Sequence, residues 1–195
     1  MAGRLAGKVC VITGTGGSMG RAAALAFARE GPSVVGCDVT VEPAVATVEM
    51  VHAAGGTMVS LQPCHLGDPA ECARLVELAV SEFGRLDVLY NLAARSHFSW
   101  LERFTDEEWD AARKDEVDLV FYLTRAAWPH LKASRGDVEL IWIRDLGLPW
   151  YTGEHAPPPG AHRLAETVYQ ADALIWSSPA YHGRSAARSR THWTG

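Results

Sequence analysis

The sequence lacks a hydrophobic run long enough to cross a membrane. A membrane-spanning helix needs about 18 consecutive apolar residues. Although 48% of the 195 residues are hydrophobic, polar residues interrupt every apolar stretch before that length is reached. The first residues also lack the apolar core of a secretory signal. We therefore expect a cytoplasmic protein without a membrane partner, with enough apolar residues for the core of one domain.

The sequence also lacks an excess of positive charge. The formal net charge is -5, which provides no basic field for a nucleic acid. We therefore expect no nucleic-acid partner. Arg184, Arg188 and Arg190 are close together near the end of the sequence, and we interpret residues 184–195 as a solvated polar tail.

Cysteine is scarce, and its spacing is uninformative. Cys10, Cys37, Cys64 and Cys72 form no C-x-x-C pair. We predict that these thiols are reduced and inert, and that they act as small apolar groups. The spacing of His155, His162 and His182 matches no metal-ligand motif, so we predict no metal site.

The sequence contains a regular alternation of strand and helix patterns, joined by short connections. Strands are predicted at 8–13, 33–38, 57–62, 86–91, 137–143 and 172–177, and helices at 19–30, 42–54, 68–83, 106–134 and 161–171. This alternation is typical of an α/β fold with a doubly wound parallel sheet, a Rossmann-like three-layer α/β/α architecture. Right-handed crossovers give the order 3-2-1-4 for the first four strands and a ligand crevice at the carboxyl ends of strands 1 and 4. We expect 137–143 and 172–177 to follow as the fifth and sixth strands, which gives the order 3-2-1-4-5-6. Asn91 and Ala93 fall at that edge.

A glycine-rich turn follows the first predicted strand. A pyrophosphate settles on the first turn of a helix when no Cβ atom blocks the backbone and free N–H groups point at the anion. This turn leads directly into an alanine-rich helix pattern, so we predict a small-molecule dinucleotide as the ligand. The predicted contacts in the turn come from Thr13, Gly14, Gly16, Ser18, Met19 and Gly20.

Asp38 stands at the end of the second predicted strand. A carboxylate in this position accepts hydrogen bonds from a ribose 2′-hydroxyl and repels a 2′-phosphate. The sequence therefore favours NAD over NADP as the cofactor.

Three motifs between about residues 4 and 136 resemble the short-chain dehydrogenase/reductase family. They are Thr13-Gly14-x-x-x-Ser18-x-Gly20, Cys64-His65-Leu66 and Asn91-Leu92-Ala93-Ala94. The resemblance implies a Rossmann fold that binds NAD(P), with His65 and Leu66 beside the adenine and with Asn91 and Ala93 beside the adenosine ribose. It also implies an oxidoreductase, and it places Glu116 where the family has an active-site asparagine.

The proton-transfer pair of that family is missing from the sequence. The resemblance implies a Tyr-x-x-x-Lys pair, in which the ammonium lowers the pKa of the phenol so that a proton moves while hydride is exchanged with the nicotinamide. The lysines are Lys8, Lys114 and Lys132, and none follows a tyrosine at that spacing. Tyr151-x-x-x-His155 has the spacing but contains Gly153 in a predicted loop. The catalytic residues therefore stay unassigned, and we expect very slow turnover or none.

From Asp137 to Gly183 the sequence resembles a second family, the NADPH-dependent FMN reductases. The segment 171–183 is similar to a strand and the loop that covers the isoalloxazine ring, which implies FMN as a possible cofactor near Ser178 and Tyr181. We expect one Rossmann-like domain over residues 1–183, made of a dehydrogenase-like part (1–136) and a reductase-like part (137–183).

Three hypotheses about function follow from these patterns. The first is an NAD-binding oxidoreductase of the short-chain dehydrogenase type that lacks its catalytic pair. The second is an FMN-binding NAD(P)H-dependent flavin or quinone reductase. The third is a non-catalytic nucleotide-binding or assembly module, in which the helix at 106–134 forms a homo-oligomer interface, as the resemblance implies.

Overall fold

The computed structural model describes residues 3–134, residue 163 and residues 175–176. The strands are β1 (Val9–Thr13), β2 (Ser33–Cys37), β3 (Thr57–Leu61), β4 (Val88–Tyr90) and β5 (Ile175–Trp176). The helices are α1 (Ser18–Ala28), α2 (Val41–Ala53), α3 (Pro69–Phe83), α4 (Asp106–Arg113) and α5 (Leu119–Ala133). A 3-10 turn covers Leu101–Arg103, and a π-helical turn, Lys114–Asp118, joins α4 to α5.

The strands pair in parallel in the order β3-β2-β1-β4-β5. This confirms the predicted order 3-2-1-4 for the first four strands and the α/β parallel-sheet class. The neighbour of β4 differs from the prediction, which placed 137–143 in that position. Leu89 and Tyr90 pair instead with Ile175 and Trp176. The segment 137–143 lies outside the described residues, as do the predicted tail and nearly all of the reductase-like part.

Apolar side chains on both faces of the sheet bind it to the helices. Val59, Val35, Val11 and Leu89 form one row across four strands, and this face packs against α3 and α5. Ile12, Val34 and Met58 project from the opposite face toward α1 and α2. Strands buried on both faces read as continuous apolar runs rather than alternating ones, which is how β1 and β2 appear in the sequence.

The helix boundaries follow local chemistry. Asp68 caps α3 through a bond that its Oδ1 accepts from the N–H of Ala70 at 2.8 Å, with Pro69 in the first turn, as the sequence predicts. Thr105 and Glu108 form a reciprocal capping box at the start of α4. The predicted single helix at 106–134 is wrong in one respect. The π-helical turn interrupts it, and it inserts a bulge of the kind often found at functional sites.

The amino-terminal edge of the sheet holds a buried carboxylate. Asp87 is fully buried, and its Oδ2 accepts bonds from the N–H of Val9 at 2.9 Å and from Nε of Arg85 at 2.8 Å. Nη2 of Arg85 bonds to Oδ1 of Asp87, and Nζ of Lys8 lies 3.8 Å from the same oxygen. A buried charge needs such partners to offset its lost hydration.

Among the described residues, no helix has both the length and the apolar character that crossing a bilayer requires.

Candidate functional site

The glycine-rich turn is fixed to the end of β2. Gly14 has a positive φ of 73°, which the absence of a Cβ atom permits. The N–H groups of Gly14 and Thr15 both donate to the carbonyl of Cys37, at 2.9 and 3.1 Å. The N–H of Gly17 then turns back to the carbonyl of Gly14 at 3.1 Å. The chain therefore reverses direction directly above the carboxyl end of the sheet.

Gly20 is required by packing within this turn. It is buried in the first turn of α1, and a Cβ atom at this position would lie 1.9 Å from the carbonyl oxygen of Gly14. Sequence reasoning attributed Gly20 to close approach of an anion. In the structure, the absence of a Cβ atom at Gly20 also allows α1 to begin directly against the turn that precedes it.

The first turn of α1 presents unpaired backbone N–H groups. Gly17 is the N-cap, no side chain caps the helix, and no acidic residue lies in the first turn. Within the described residues, no acceptor bonds to the N–H of Ser18, Met19 or Gly20, whereas the N–H of Arg21 is paired with Gly17. Such amides, together with the positive end of the helix dipole, form an anion site. The predicted turn residues thus come together with the donors that a pyrophosphate needs.

Asp38 is half-buried beside the turn and already holds three donors. Its Oδ2 accepts a bond from the N–H of Gly16 at 2.8 Å, and its Oδ1 accepts bonds from the N–H of Thr40 at 2.9 Å and from the Thr40 hydroxyl at 2.5 Å. A carboxylate has about four acceptor sites, so Oδ2 retains room for one more donor. The sequence predicted the position of Asp38, and the structure adds that this carboxylate also orders the glycine turn.

The loop after β4 lies against the same turn. The hydroxyl of Thr13 accepts bonds from the N–H groups of Leu92 and Ala93, at 2.9 and 2.8 Å. Ala93 approaches so closely that its Cα would lie 3.2 Å from a Cβ built on Gly14. Thr13 is fully buried. Its side chain therefore shapes the crevice by joining β1 to this loop.

Asn91 leaves a buried acceptor without a partner. Its side-chain amide donates to the Thr124 hydroxyl at 3.2 Å, while Oδ1 has no hydrogen-bond partner among the described residues. Asn91 is only 6% exposed, and an unsatisfied buried polar atom of this kind is uncommon and marks a place for an additional group. Asn91 and Ala93 both lie where the sequence placed them, at the edge shared by β1 and β4.

The loop after β3 completes the rim. The N–H of Cys64 donates to the carbonyl of Asp38 at 2.9 Å, which holds this loop beside the end of β2. His65 is exposed, whereas Leu66 packs into the core below the sheet. Of these two predicted adenine-side residues, only His65 presents its side chain at the surface.

The π-helical turn brings together two residues that sequence reasoning missed. Nε2 of His97 lies 2.7 Å from Oδ2 of Asp115, and the N–H of Arg95 donates to the carbonyl of Asp115 at 3.3 Å. The partners are separated by 18 positions in the chain, so no helical or strand spacing signals their contact. Glu116, in the position where the family has asparagine, lies half-buried in the same turn.

The four cysteines are free and buried, as predicted. Burial raises the pKa of Cys10 and of Cys72 to about 12 in each case. A hydrogen bond with Cys64 and burial raise the pKa of Cys37 above its usual range. The thiolate is the reactive form, so Cys10, Cys37 and Cys72 are held neutral, whereas the hydrogen bond with Cys37 lowers the pKa of Cys64. All four thiols are buried.

Comparisons with known proteins agree with this geometry. The short chain dehydrogenase family matches residues 8–141, and the chain belongs to this family. A second match, to the NADPH-dependent FMN reductase family, covers residues 121–188. The two matches overlap at residues 121–141, which confirms that the sequence resembles both families in succession.

Two curated relatives illustrate the likeness. A 3-oxoacyl-[acyl-carrier-protein] reductase of Thermotoga maritima is 33% identical over 132 residues, covering 68% of this chain and 53% of the relative. The 2-dehydro-3-deoxy-D-gluconate 5-dehydrogenase of Escherichia coli is 31% identical over 167 residues, covering 82% and 65%. The chain therefore spans about half to two thirds of the length of these relatives.

Solved structures give the same result. Carveol dehydrogenase from Mycobacterium avium, determined in complex with NAD, has a TM-score of 0.64 at 26% identity, covering 69% of this chain and 53% of that one. A short chain dehydrogenase from Burkholderia cenocepacia, determined in complex with NADP, has a TM-score of 0.63 at 30% identity, covering 66% and 52%.

Proposed function

We propose that this chain binds a nicotinamide dinucleotide at the carboxyl edge of its sheet, as an oxidoreductase-type protein of its family. The observation that carries the proposal is the set of unpaired amides at Ser18, Met19 and Gly20, which open above the edge where β1 and β4 adjoin. These amides would hold the pyrophosphate. Asn91 and Ala93 would line the ribose side, with His65 and Leu66 in the loop on the adenine side.

We further propose that NAD is preferred over NADP. The free acceptor site on Oδ2 of Asp38 would take a hydrogen bond from a ribose hydroxyl, while the carboxylate charge would repel a 2′-phosphate. The next residue, Val39, is 54% exposed and apolar, so it offers no cation to a phosphate. When bound, the nicotinamide supplies hydride chemistry. The contribution of the chain in this account is to bind and orient the cofactor.

Asp38→Asn tests this preference. Asparagine keeps a hydrogen-bond acceptor but removes the charge, so we expect the affinity for NADH to fall about tenfold, the typical worth of a hydrogen bond to a charged group. We expect the affinity for NADPH to rise at the same time, because the repulsion is gone. Both are measured by energy transfer from tryptophan to bound nicotinamide.

Asp110→Asn is the matched control for this variant. Asp110 lies on α4, and its side chain is 64% exposed, so the ratio of NADH to NADPH affinity should stay at the wild-type value. An unchanged ratio in Asp38→Asn would contradict the proposed role of Asp38, and an absence of binding by either cofactor would contradict the proposal as a whole.

A second candidate is FMN binding, favoured by the reductase-family match over residues 121–188. The residues that would contact the flavin, around Ser178 and Tyr181, lie outside the described residues. A flavin enclosed by protein would show quenched fluorescence when FMN is titrated with the chain. Unaltered FMN fluorescence would count against this candidate.

Self-association is the third part of the proposal. The π-helical turn and α5 expose Val117 and Phe121, which are 60% and 57% exposed, and Trp109 on α4 is 60% exposed. Three large exposed apolar side chains on one helical segment support a homo-oligomer through the segment 106–134, because exposed apolar patches mark interaction sites. Sedimentation velocity at micromolar concentration distinguishes an oligomer from a monomer.

We also propose that residues 1–183 form one domain followed by the polar tail 184–195.

A further inference from the structure

The pair His97–Asp115 lies on the same edge of the sheet as the glycine turn. The loop that contains His97 begins at Leu92 and Ala93, whose amides are bonded to Thr13. Two residues further on, the N–H of Arg95 bonds to the carbonyl of Asp115. The loop thus runs from the glycine turn to the π-helical turn, and these bonds hold it at Leu92, Ala93 and Arg95.

The π-helical turn also adjoins the loop after β3. A Cβ built on Gly67 would lie 3.9 Å from Cβ of Lys114, the residue next to Asp115. The pair is therefore placed between the loops that follow β3 and β4, where the crevice opens. The side chain of His97 is 22% exposed, and that of Asp115 is 37% exposed, so both side chains are partly accessible to solvent.

The chemistry of the contact assigns the two ring nitrogens. An ionised carboxylate only accepts hydrogen bonds, so Nε2 of His97 must carry the proton that it shares with Oδ2 of Asp115. In the neutral ring the other nitrogen, Nδ1, is then an unprotonated acceptor. A carboxylate that fixes one imidazole nitrogen and leaves the other free orients a general acid or base.

The charged neighbours of the pair are engaged elsewhere or belong to the same turn. Arg113 on α4 bonds to Asp118 at 2.5 Å and lies 3.6 Å from Asp110. Lys114 and Glu116 flank Asp115 in the turn, and Arg95 lies in the loop with His97. The side-chain hydrogen bond of His97 is with Asp115.

We propose that His97, oriented by Asp115, exchanges a proton with the oxygen of a carbonyl or secondary alcohol substrate held in the crevice. This proposal rests on the proposed function, because a bound reduced nicotinamide supplies the hydride that reaches the carbonyl carbon. In the direction of reduction, the N–H bond at Nδ1 of the charged imidazole breaks and an O–H bond forms on the substrate oxygen. The electron pair stays on Nδ1, and water returns the proton. In the direction of oxidation, neutral Nδ1 accepts the hydroxyl proton.

The site gives this role a reason. No lysine follows a tyrosine by four positions in the sequence, so this sequence leaves the group that performs the exchange unassigned. His97–Asp115 supplies a titratable group at the edge where the crevice opens, and its donor and acceptor roles are already fixed. Asp115 is a positioning residue in this account, since it acts through His97.

The first test measures the imidazole directly. Long-range proton–nitrogen NMR spectra of the full chain distinguish a histidine protonated on Nε2 from one protonated on Nδ1. We expect the Nε2–H form for His97, and we expect a mixture of both forms in Asp115→Asn. A wild-type His97 protonated on Nδ1 would overturn the proposal, because the nitrogen assigned to the exchange would not be free.

The second test measures turnover with ethyl acetoacetate and NADH. We expect slow reduction by the wild type, an approximately hundredfold loss in His97→Asn, and a smaller loss in Asp115→Asn, as is usual for removal of an acid–base group. The affinity for NADH should change less than about twofold in both variants, since neither residue contacts the glycine turn. His52→Asn is the matched control. His52 is exposed on α2, its Nε2 lies 2.8 Å from the carbonyl oxygen of Met58, and its loss should leave turnover unchanged.

The outcomes separate this proposal from the proposed function. If NADH binds but the wild type reduces no ethyl acetoacetate, or if His97→Asn keeps the wild-type rate, then the role of His97 is overturned and dinucleotide binding stands. If NADH does not bind, the proposed function fails and the role of His97 falls with it, even where His97 is protonated on Nε2. Thermal unfolding of each variant establishes that a lost rate does not come from a lost fold.

Discussion

The two edges of the sheet differ in whether their polar groups are paired within the protein. At the amino-terminal edge, the buried carboxylate of Asp87 is surrounded by donors from Val9, Arg85 and Lys8. At the carboxyl edge, the amides of the first turn of α1 have no acceptor, and Oδ1 of Asn91 is buried without a partner among the described residues. The polar groups at the amino-terminal edge are therefore paired within the protein, whereas those at the carboxyl edge remain available to a ligand.

This difference teaches where stability and function separate in the fold. A satisfied buried charge holds strands together, and removing one partner leaves the others uncompensated. A buried acceptor without a partner, such as Oδ1 of Asn91, costs folding free energy that a bound ligand offsets, and the amides of the first turn of α1 are available to an anion. We therefore expect changes at the amino-terminal edge to alter unfolding, and changes at the carboxyl edge to alter binding.

The largest expected effect is on stability at the amino-terminal edge. Asp87→Asn removes the charge that Arg85 and Lys8 contact, and we expect the free energy of unfolding to fall by about 3 kcal/mol, the low end for a broken buried pair. Arg85 is 43% exposed, so water partly compensates it. Urea unfolding measures this loss, and the affinity of the folded fraction for NADH should stay unchanged. A weaker affinity for NADH with unchanged stability would contradict the assignment of stability to the amino-terminal edge and binding to the carboxyl edge.

A smaller effect on stability, with a large effect on binding, is expected at the carboxyl edge. In Gly20→Ala the new methyl group meets the carbonyl of Gly14, a backbone atom that cannot move away cheaply. We expect a loss of about 2 kcal/mol, typical of overpacking, together with loss of saturable NADH binding, because the first turn of α1 is displaced.

Gly17→Ala is the control at this edge. Its φ of -74° suits alanine, and the nearest atom to its Cβ lies at 3.4 Å. Stability should therefore change little. If Gly20→Ala bound NADH as Gly17→Ala does, the geometry of the turn would not control the site.

The sequence predicted the parts of the molecule that depend on local pattern. β1 to β3 and α1 to α3 lie within one or two residues of their expected bounds, because apolar runs, glycine breaks and the Asp68 cap are local signals. Asp38 and the glycine turn were predicted for the same reason: a strand, a turn and a helix in succession fix their positions.

Other parts depend on contacts that leave no trace in the sequence. The sequence predicts a single helix over 106–134, whereas the π-helical turn Lys114–Asp118 interrupts it. The pairing of β4 with Ile175–Trp176 joins two segments that are far apart in the chain, so no local period predicts it. The occupation of Asp38 by Gly16 and Thr40, and the contact of His97 with Asp115, likewise join residues with no regular spacing.

The comparison of the two edges is tested most directly by amide NMR spectra of the full chain during titration with NAD. We expect resonances at the carboxyl edge to shift in a saturable manner, above all those of Ser18, Met19, Gly20 and Ala93. The resonances of Val9 and Asp87, at the other edge, should stay in place. Shifts confined to the amino-terminal edge, or no shifts at millimolar NAD, would contradict the assignment of the carboxyl edge as the binding site.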